Sequence, residues 1–273
     1  MKKNISIILV ALVIAATLVG CRKADTATSG SISTNGSTSM EKVIGILSEQ
    51  FMADNQKVTI TYDATGSGTG IEAAANGTTD IGLSSRDLKD EEKAKGLVAT
   101  TLALDGIAVI VNANCPVDDL SVEDITAVFT GEITEWSAFG GNGEIACIGR
   151  EAGSGTRDGF ESITKTKDKC ALAQELTSTG AVIAAVQNST NAIGYASFAS
   201  AEGQSGIKIL TVSGIPCTTE NILNGTYVIQ RPFNLITKAD VKLSAPAQAF
   251  FDYMTSGEAA DLIVKAGAVP TAK

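Results

Sequence analysis

The sequence predicts an α/β fold, and two observations carry this prediction. The first is an alternating strand pattern at Val58–Tyr62 that leads into the glycine-rich loop Thr65–Gly70 and then into a helical pattern. The second is that a loop of small residues also precedes a helical pattern at Gly36–Ser39 and at Ile148–Arg157. About 240 residues follow Ser33, which is enough for two ordinary domains or one large one.

The N-terminal segment has the layout of a secretory signal peptide. Lys2 and Lys3 precede an apolar run from Ile5 to Val19, and the string Leu18-Val19-Gly20-Cys21 resembles a bacterial lipobox. A membrane-spanning helix usually needs about 18 or more apolar residues, and this run is shorter. We therefore expect residues 1–20 to be a lipoprotein signal peptide. We also expect lipidation of Cys21, which would hold the chain on the extracytoplasmic face of the cell membrane.

A segment of small polar residues separates this region from the folded part. From Ala24 to Ser33 the residues are mainly Ser, Thr, Gly and Ala, without apolar periodicity. Such a composition is typical of a flexible linker. We therefore expect residues 21–33 to be a flexible tether and the fold to begin at residue 34.

Composition excludes several classes of function. The chain has 21 basic and 30 acidic residues, and without Lys2 and Lys3 its net charge is near −11, so nucleic acid is an unfavourable partner. It has no histidine, which excludes Ser-His-Asp and Cys-His catalysis and histidine metal sites. It has no Gly-Lys dipeptide and hence no P-loop. We therefore expect no enzyme, no cofactor and no metal site.

The cysteines after Cys21 are expected to be structural. They are Cys115, Cys147, Cys170 and Cys217, and none of them forms a C-x-x-C motif. In an exported chain they can form disulfides in three possible pairings, or they can remain four buried free thiols.

Each of the first two small-residue loops ends in a predicted capping box. The first loop, Gly36–Ser39, places Thr38 three residues before Glu41, ahead of an apolar helical face. The second loop places Thr69 three residues before Glu72. The third loop enters a helix at about Asp158, and it alone carries arginines, Arg150 and Arg157.

The three loops share one physical property, which is affinity for anions. Backbone N–H groups at a helix N-terminus attract negative charge, and small residues allow an anion to approach them closely. Ser and Thr hydroxyls add neutral donors, and each hydrogen bond to a charged group contributes about 1.5–3 kcal/mol. Arg150 would add a bidentate, charge-assisted contact. One such loop is usually only a helix cap, but three in a chain without catalytic residues favour a binding site.

The third loop carries a specific resemblance. Arg150–Thr156 is similar to the R-x-x-G-S-G-T signature of the phosphate-binding proteins of bacterial phosphate ABC transporters, and the likeness extends over nearly the whole mature chain. The resemblance implies phosphate contacts from residues of all three loops and from one further position. These residues are Ser37, Thr38, Ser67, Gly68, Ser85, Arg150, Ser154, Gly155 and Thr156, with Arg86 and Thr69 as additional candidates.

Ser85 departs from the pattern of some family members. Asp80–Arg86 resembles a D-x-G-x-S-D segment whose last Asp accepts the proton of bound phosphate, and Ser85 stands at that position here. Either Asp63 or Asp158 replaces this acceptor, or the preference for phosphate over sulfate is weaker. The next residue, Arg86, either faces the anion or pairs at the surface with Asp87 or Asp90.

The resemblance also implies the two-lobed periplasmic-binding-protein fold of type II, with the ligand in the cleft. Lobe 1 would comprise residues 34–108 and 229–273, and lobe 2 residues 109–228. Two crossing strands would join the lobes, one within Ala103–Asn112 and one within Tyr227–Thr237.

Four smaller features complete the expected fold. The segment Asn191–Ala196 is predicted to be a strand, and Asp119–Thr130 and Pro246–Val264 are predicted to be helical. Trp136 is expected in the core or on a lobe surface rather than as a platform for the ligand.

The expected function is capture of inorganic phosphate between the lobes and its delivery to an ABC permease. The expected partners are inorganic phosphate, the permease subunits and the membrane through the lipid anchor, and the protein is expected to be a monomer. One alternative is another tetrahedral oxyanion, namely sulfate, molybdate or tungstate. A second alternative is a surface phosphatase with Ser154 or Ser67 as nucleophile, and a third is an adhesin or sensor.

Overall fold

The computed structural model describes residues 28–271. The predicted signal peptide at 1–20, the predicted lipidation site Cys21 and the first part of the predicted tether lie outside the described residues. Within them, no helix combines the length and the apolar character needed to cross a membrane.

A ten-stranded sheet connects the two halves of the molecule. The strands are β1 (Gly30–Gly36), β2 (Val58–Ala64), β3 (Ile81–Ser84), β4 (Leu97–Asn112), β5 (Asp119–Leu120), β6 (Ala146–Arg150), β7 (Gln174–Leu176), β8 (Ala192–Ser197), β9 (Ile207–Ile209), β10 (Thr211–Val212), β11 (Gln230–Lys238) and β12 (Val269–Pro270). Eight of them lie in the order β2-β1-β3-β11-β4-β8-β6-β7, β9 and β12 pair with β4, and β5 pairs with β10 in a separate sheet.

Helices connect the strands and cover the sheet. They are α1 (Glu41–Asp54), α2 (Ser67–Asn76), α3 (Asp90–Lys93), α4 (Val122–Phe129), α5 (Gly155–Thr164), α6 (Thr179–Gln187), α7 (Phe198–Ala201), α8 (Thr219–Leu223), α9 (Ala245–Met254) and α10 (Ala260–Lys265). Short 3-10 helices lie at Thr38–Met40, Trp136–Phe139 and Gly257–Ala259. Because β1 pairs in parallel with β2 and β3, and β6 with β7 and β8, the helices serve as crossovers of an α/β fold.

The two larger of three hydrophobic clusters among the described residues form the cores of two lobes. The core of the first lobe contains Leu47 and Phe250, whereas the core of the second lobe contains Phe129, Phe160 and Tyr195. The long strand β4 belongs to both lobes. Its residues 97–106 pair with β11 in the first lobe, and its residues 107–112 pair with β8 and β9 in the second. The lobes are therefore joined where the chain leaves along β4 and returns into β11, as the sequence predicts.

The start of the fold differs from the prediction. Strand β1 begins at Gly30, so residues 30–33 of the predicted 21–33 tether belong to the sheet. Gly30 pairs with Val58, and Ile32 is fully buried. The strand was not predicted because Ile32 is its one large apolar side chain and the residues around it are small and polar.

Both predicted capping boxes are wrong. Ser37, rather than Thr38, caps the 3-10 helix at Thr38–Met40, and its side chain accepts a hydrogen bond from Ser39 N. Helix α2 begins at Ser67, two residues before Thr69, and Gly66 precedes it without a side-chain cap. Helix α5 likewise begins at Gly155 rather than near Asp158. The Thr38 hydroxyl bonds to Thr179 instead, and Thr69 is exposed on the first turn of α2.

Most of the other predicted elements are confirmed. Strand β8 (Ala192–Ser197) matches the predicted Asn191–Ala196 strand to within one residue. In the predicted Asp119–Thr130 helix, only Val122–Phe129 is helical as α4, because Asp119–Leu120 pairs as β5 and Ser121 caps the helix. The predicted helical segment Pro246–Val264 contains α9 and α10, which are separated by a 3-10 turn. Trp136 is buried in the core of the second lobe, where its Nε1 donates a hydrogen bond to Asn191 O.

Glycine is required at the end of β1. Gly36 has a φ of +144°, and a Cβ atom there would lie 2.1 Å from the carbonyl oxygen of Leu83 on β3. The close approach of the strands at this point allows Ser37 N to donate a hydrogen bond to Leu83 O. The first loop is therefore fixed at the carboxyl edge of the sheet, where binding sites of α/β folds form.

Candidate anion-binding site

Helix N-termini from both lobes converge on the cleft. The first lobe contributes the 3-10 helix that starts at Thr38 and helix α2, and the second lobe contributes α5 and α6. Their first residues make direct contacts with one another across the cleft. Helix N-termini carry partial positive charge and unpaired N–H groups, so this arrangement concentrates donors at one point without a cationic surface.

Three serines form a buried hydroxyl cluster on the first-lobe side. Ser37 Oγ donates to Ser85 Oγ at 2.8 Å, and Ser85 Oγ lies 3.1 Å from Ser67 Oγ. The Ser85 amide also donates to Ser67 Oγ at 3.0 Å. Each of the three side chains is at most 2 % exposed. The structure thus brings together residues from three separate loops that the sequence predicted to share a site.

Gly155 of the second lobe closes directly onto this serine cluster. A Cβ atom at Gly155 would lie 2.5 Å from Ser67 Oγ, 2.6 Å from Ser85 Oγ and 2.9 Å from the Ser85 carbonyl carbon. Glycine is therefore the residue that permits α5 to approach the first lobe so closely.

A second group of hydroxyls spans the cleft. Ser39 Oγ lies 2.8 Å from Thr156 Oγ1 and 2.9 Å from Thr179 Oγ1. Thr38 Oγ1 lies 3.0 Å from Thr179 Oγ1 and accepts a hydrogen bond from the Thr179 amide at 3.1 Å. All four side chains are buried. The lobes are thus closed on each other through neutral groups that can both donate and accept hydrogen bonds.

Arg150 places a buried positive charge at the edge of these hydroxyls. Its side chain is 2 % exposed, and Nη1 donates to Thr179 Oγ1 at 3.2 Å. On the other side Nη2 pairs with Glu151 Oε1 at 2.8 Å. The carboxylate and the carbonyls of Leu176 and Thr177 hold the guanidinium, and one of its donor edges faces the cleft.

Two tyrosines, the half-buried Tyr62 and the buried Tyr195, position the loops. Tyr62 OH donates a hydrogen bond to the carbonyl of Ser37, and Tyr195 OH accepts one from the Arg150 amide at 3.1 Å. Tyr195 stacks on Phe160 with ring centroids 4.1 Å apart. Burial raises the pKa of both phenols, which keeps them protonated at neutral pH.

The remaining predicted residues of the loops have different surroundings. Ser154 is buried and caps α5, because its Oγ accepts a hydrogen bond from Arg157 N at 3.3 Å. Gly68 lies at the cleft, and its amide donates to Gly153 O of the second lobe at 2.9 Å. Thr69 is exposed and borders an open groove with Glu72, so the structure places it outside the cleft.

Arg86 follows neither predicted alternative. Its guanidinium is 8 % exposed and pairs with Glu92 in its own lobe, at 2.8 Å for both Nη atoms. Its Nε lies 2.9 Å from Asp158 Oδ2 of helix α5 in the second lobe. Arg86 therefore does not face the hydroxyls. It bonds to the carbonyl of Asp87 but forms no ion pair with the carboxylate of Asp87 or Asp90. It joins the two lobes through an ion pair.

Neither acid that was considered as a replacement for the missing Asp at Ser85 faces the hydroxyls. Asp63 is exposed on β2, and Asp158 is paired with Arg86. Within residues 28–271, the hydroxyls of Ser37, Ser67 and Ser85 make no hydrogen bond to a carboxylate. The acceptors in this part of the site are hydroxyl oxygens.

The cysteines lie away from these groups as free thiols. Cys115, Cys147 and Cys217 are buried, and Cys170 is half-buried. Burial raises the pKa of Cys147 to about 12, which makes its thiol unreactive. Among the described residues, no three His, Cys, Asp or Glu side chains are grouped so as to hold a metal ion.

Sequence reasoning missed Ser39 and Thr179. Both belong to short runs of the composition that identified the other loops. Thr177-Ser178-Thr179-Gly180 leads into the apolar helix α6, which begins at Thr179, much as Gly36–Ser39 leads into α1. The same criterion would have identified a fourth loop. The role of Tyr62 leaves no comparable signal, because its contact with Ser37 depends on the tertiary fold.

Comparisons with known proteins place these features in a family. A family model described as a PBP superfamily domain matches residues 22–258. The phosphate-binding protein PstS of Bacillus subtilis is 31% identical over 249 residues, which cover 89% of this chain and 81% of that protein.

Two solved structures extend the likeness. A Clostridium perfringens protein, solved with bound phosphate and described as a phosphate ABC transporter substrate-binding protein, is 37% identical with a TM-score of 0.84. The match covers 89% of this chain and all of that one. An ABC-type phosphate transport receptor of Vibrio cholerae is 31% identical with a TM-score of 0.71, and 87% and 99% of the two chains are covered.

Proposed function

The chain belongs to the PBP superfamily and, within it, to the family of bacterial phosphate-binding proteins, and from this membership we propose that it captures inorganic phosphate for an ABC transporter. The observation that carries the proposal is the buried group of hydroxyls beside Arg150, to which both lobes contribute. These hydroxyls, Arg150 and the adjoining glycines are proposed to contact the anion, namely Ser37, Thr38, Ser39, Ser67, Gly68, Ser85, Arg150, Ser154, Gly155, Thr156 and Thr179.

The chemistry of these residues suits a small oxyanion. Hydroxyls that now bond to one another can rotate to donate to an anion placed among them, and each such charge-assisted bond contributes about 1.5–3 kcal/mol. A hydroxyl oxygen can also accept the proton of a protonated phosphate. Arg150 supplies the one full positive charge of this donor set, and the helix N-termini supply partial charges.

Binding is coupled to lobe closure, because the donors come from both lobes. When Ser37, Ser67 and Ser85 of the first lobe and Gly155 and Thr156 of the second contact one anion, the anion joins the lobes. The Arg86–Asp158 ion pair closes the cleft on the side of helix α5. We assign lobe 1 to residues 30–108 and 229–271, since β1 begins at Gly30, and lobe 2 to residues 109–228, with hinge motion at β4 and β11.

Binding proceeds without turnover. The curated relative and the solved structures cited above are named as binding proteins and receptors. The chain has no histidine, and within the described residues no carboxylate bonds to the hydroxyls of Ser67 or Ser154 to act as a general base. A phosphatase reaction would need such a base.

The N-terminal features support a location outside the cytoplasm. Residues 1–20 would direct export, lipidation of Cys21 would anchor the monomer, and the residues between Cys21 and β1 would form the tether. The closed protein would then present phosphate to the permease subunits of the transporter.

Calorimetric titration of the purified chain with phosphate, sulfate, molybdate and tungstate tests this function. We expect one tight phosphate site per chain and weaker binding of the other anions, with only a modest preference over sulfate because no carboxylate among the described residues bonds to the hydroxyls of Ser37, Ser67 and Ser85. Tight binding of sulfate with no response to phosphate would contradict the proposal.

A further inference from the structure

A buried ion pair lies at the junction of the lobes and is separate from the proposed phosphate contacts. Asp105 on β4 is fully buried, Arg231 on β11 is 4 % exposed, and Arg231 Nη2 lies 3.1 Å from Asp105 Oδ2. The two residues are opposite each other in the antiparallel register. From Ile107 onward β4 pairs with β8 of the second lobe, so this ion pair marks the crossing point.

Asp105 is held by groups on both sides of the crossing. Its Oδ1 accepts hydrogen bonds from Ser197 Oγ at 2.9 Å and from the Ala199 amide at 3.1 Å. Ser197 ends β8 of the second lobe, whereas Ala199 packs in the core of the first lobe. Asp105 is therefore a fixed anchor for the guanidinium of Arg231.

The other end of the guanidinium reaches the proposed anion site. Arg231 Nη1 donates to the carbonyl of Ser85 at 3.1 Å, and the hydroxyl of Ser85 is the center of the serine cluster. Across the cleft, a Cβ atom at Gly159 of α5 would lie 3.3 Å from Arg231 Cδ. Arg231 therefore lies between the Ser85 loop and the helix that carries Gly155 and Thr156.

Stability alone does not account for this ion pair. Burying two charges costs several kcal/mol, and apolar side chains of similar size often stabilise a fold as well or better. Arg231 Nε also has no hydrogen-bond partner among the described residues, which adds to the cost. Burial lowers the pKa of Arg231 to about 10, so the side chain stays charged at neutral pH. A charge kept at such a cost points to a functional role.

We propose that Arg231 is a positioning residue for phosphate binding: anchored by Asp105 at the lobe junction, it fixes the Ser85 carbonyl and thereby directs the Ser85 hydroxyl toward the anion. Arg231 does not itself contact the anion. This inference rests on the proposed function and adds to it a link between the hinge strands and one specific donor of the site.

A double-mutant cycle on phosphate affinity tests the link between Arg231 and Ser85. The variants are Arg231→Gln, Ser85→Ala and the combination, titrated with inorganic phosphate in the full chain kept in detergent. We expect Arg231→Gln to weaken binding by about tenfold when Ser85 is present. Combined with Ser85→Ala it should weaken binding by less than about threefold, because alanine keeps the carbonyl that Arg231 holds but has no hydroxyl to be directed at the anion. Equal losses in both backgrounds would overturn the proposal, since a general structural role would be additive.

Two further variants separate positioning from folding. Asp105→Asn combined with Arg231→Gln removes both buried charges, so no uncompensated charge remains to unfold the protein. This variant, checked by thermal unfolding, should bind one phosphate per chain with about tenfold lower affinity. Unchanged affinity in the folded variant would refute the proposal.

Lys238→Gln is the control on the same strand. Lys238 Nζ donates to Ala75 O in the first lobe, away from the cleft, so phosphate affinity should not change. A loss as large as that of Arg231→Gln would overturn the proposal, since any change on β11 would then weaken binding. If the unmodified chain does not bind phosphate at all, the proposed function fails. If it binds and the cycle is additive, only the role of Arg231 fails.

Discussion

Arg86 Nε of the first lobe lies 2.9 Å from Asp158 Oδ2 of the second, beside the proposed phosphate site. Asp158 is about one-third exposed, so the pair is expected to contribute only about 0.2–1 kcal/mol to the closed state. We predict that Asp158→Asn raises the phosphate dissociation constant about twofold to fivefold, mainly through faster dissociation. Stopped-flow measurement of phosphate release checks this. Asp90→Asn, which removes an exposed pair with Lys93 in one lobe, should leave release unchanged.

Thr179 is predicted to be a ligand contact. Its hydroxyl lies 3.0 Å from Thr38 Oγ1 and 3.2 Å from Arg150 Nη1. Thr179→Val keeps the shape and removes the hydroxyl, so phosphate affinity should fall about threefold to tenfold. Titration calorimetry measures the change, and Thr130→Val, which removes a hydroxyl bonded within α4, is the control. Equal affinity for Thr179→Val and the unmodified chain would remove Thr179 from the site.

Gly155 is predicted to be intolerant of any side chain. A methyl group there would overlap Ser67 Oγ, Ser85 Oγ and the Ser85 backbone. The Ser85 backbone cannot move aside as easily as the end of a flexible side chain, so the added methyl group should keep the lobes from closing fully. Gly155→Ala should therefore weaken phosphate binding by at least about tenfold. Gly180→Ala is a matched control, since a Cβ atom at this helical position meets nothing within 4 Å. Wild-type affinity in Gly155→Ala would show that the lobes do not close as described.

Arg150 is predicted to act through its fork of donors and not through charge alone. Arg150→Lys keeps the positive charge, but a lysine ammonium lacks the planar pair of N–H groups that would contact Thr179 and the anion together. The affinity for phosphate should therefore fall at least about tenfold. Lys208→Arg makes the reverse exchange in the same lobe, at a side chain that pairs with Asp118 away from the cleft, and should bind phosphate normally. Similar affinities in the two variants would argue against a bidentate contact.

Ser85 is predicted to set the selectivity between phosphate and sulfate. A carboxylate at this position would accept the proton of phosphate and repel an anion that has no proton. Ser85→Asp should therefore increase the ratio of phosphate to sulfate affinity about tenfold or more, whereas the neutral Ser85→Asn should not. Titration of each variant with both anions gives the ratios. An unchanged ratio in Ser85→Asp would place this residue outside the anion contacts.

Local patterns predicted the α/β fold class, whereas the family resemblance implied the crossing strands and most residues of the proposed site. The third loop was predicted best because Arg150, Ser154, Gly155 and Thr156 are neighbours in sequence and their surroundings are set by one strand–helix junction. The starts of the helices were predicted poorly. A hydroxyl such as that of Thr38 can cap its own helix or bond across the cleft, and the sequence does not decide between these options.

Contacts between distant segments were outside the reach of the sequence patterns. Arg86 pairs with Asp158 across the cleft, and Arg231 pairs with Asp105 over a separation of 126 residues. No periodicity links such residues, because each pair is formed by the packing of one lobe or hinge strand on another. The sequence therefore predicted the hydrogen-bond donors of the proposed site better than the two ion pairs, Arg86–Asp158 between the lobes and Arg231–Asp105 between the hinge strands.

The most direct test of the central claim is a crystal structure of the chain grown with phosphate. We predict one tetrahedral anion in a closed cleft, in contact with Ser37 and Ser85 of the first lobe and with Arg150, Gly155 and Thr156 of the second. A closed cleft without the anion, while phosphate binds elsewhere on the protein, would contradict this account.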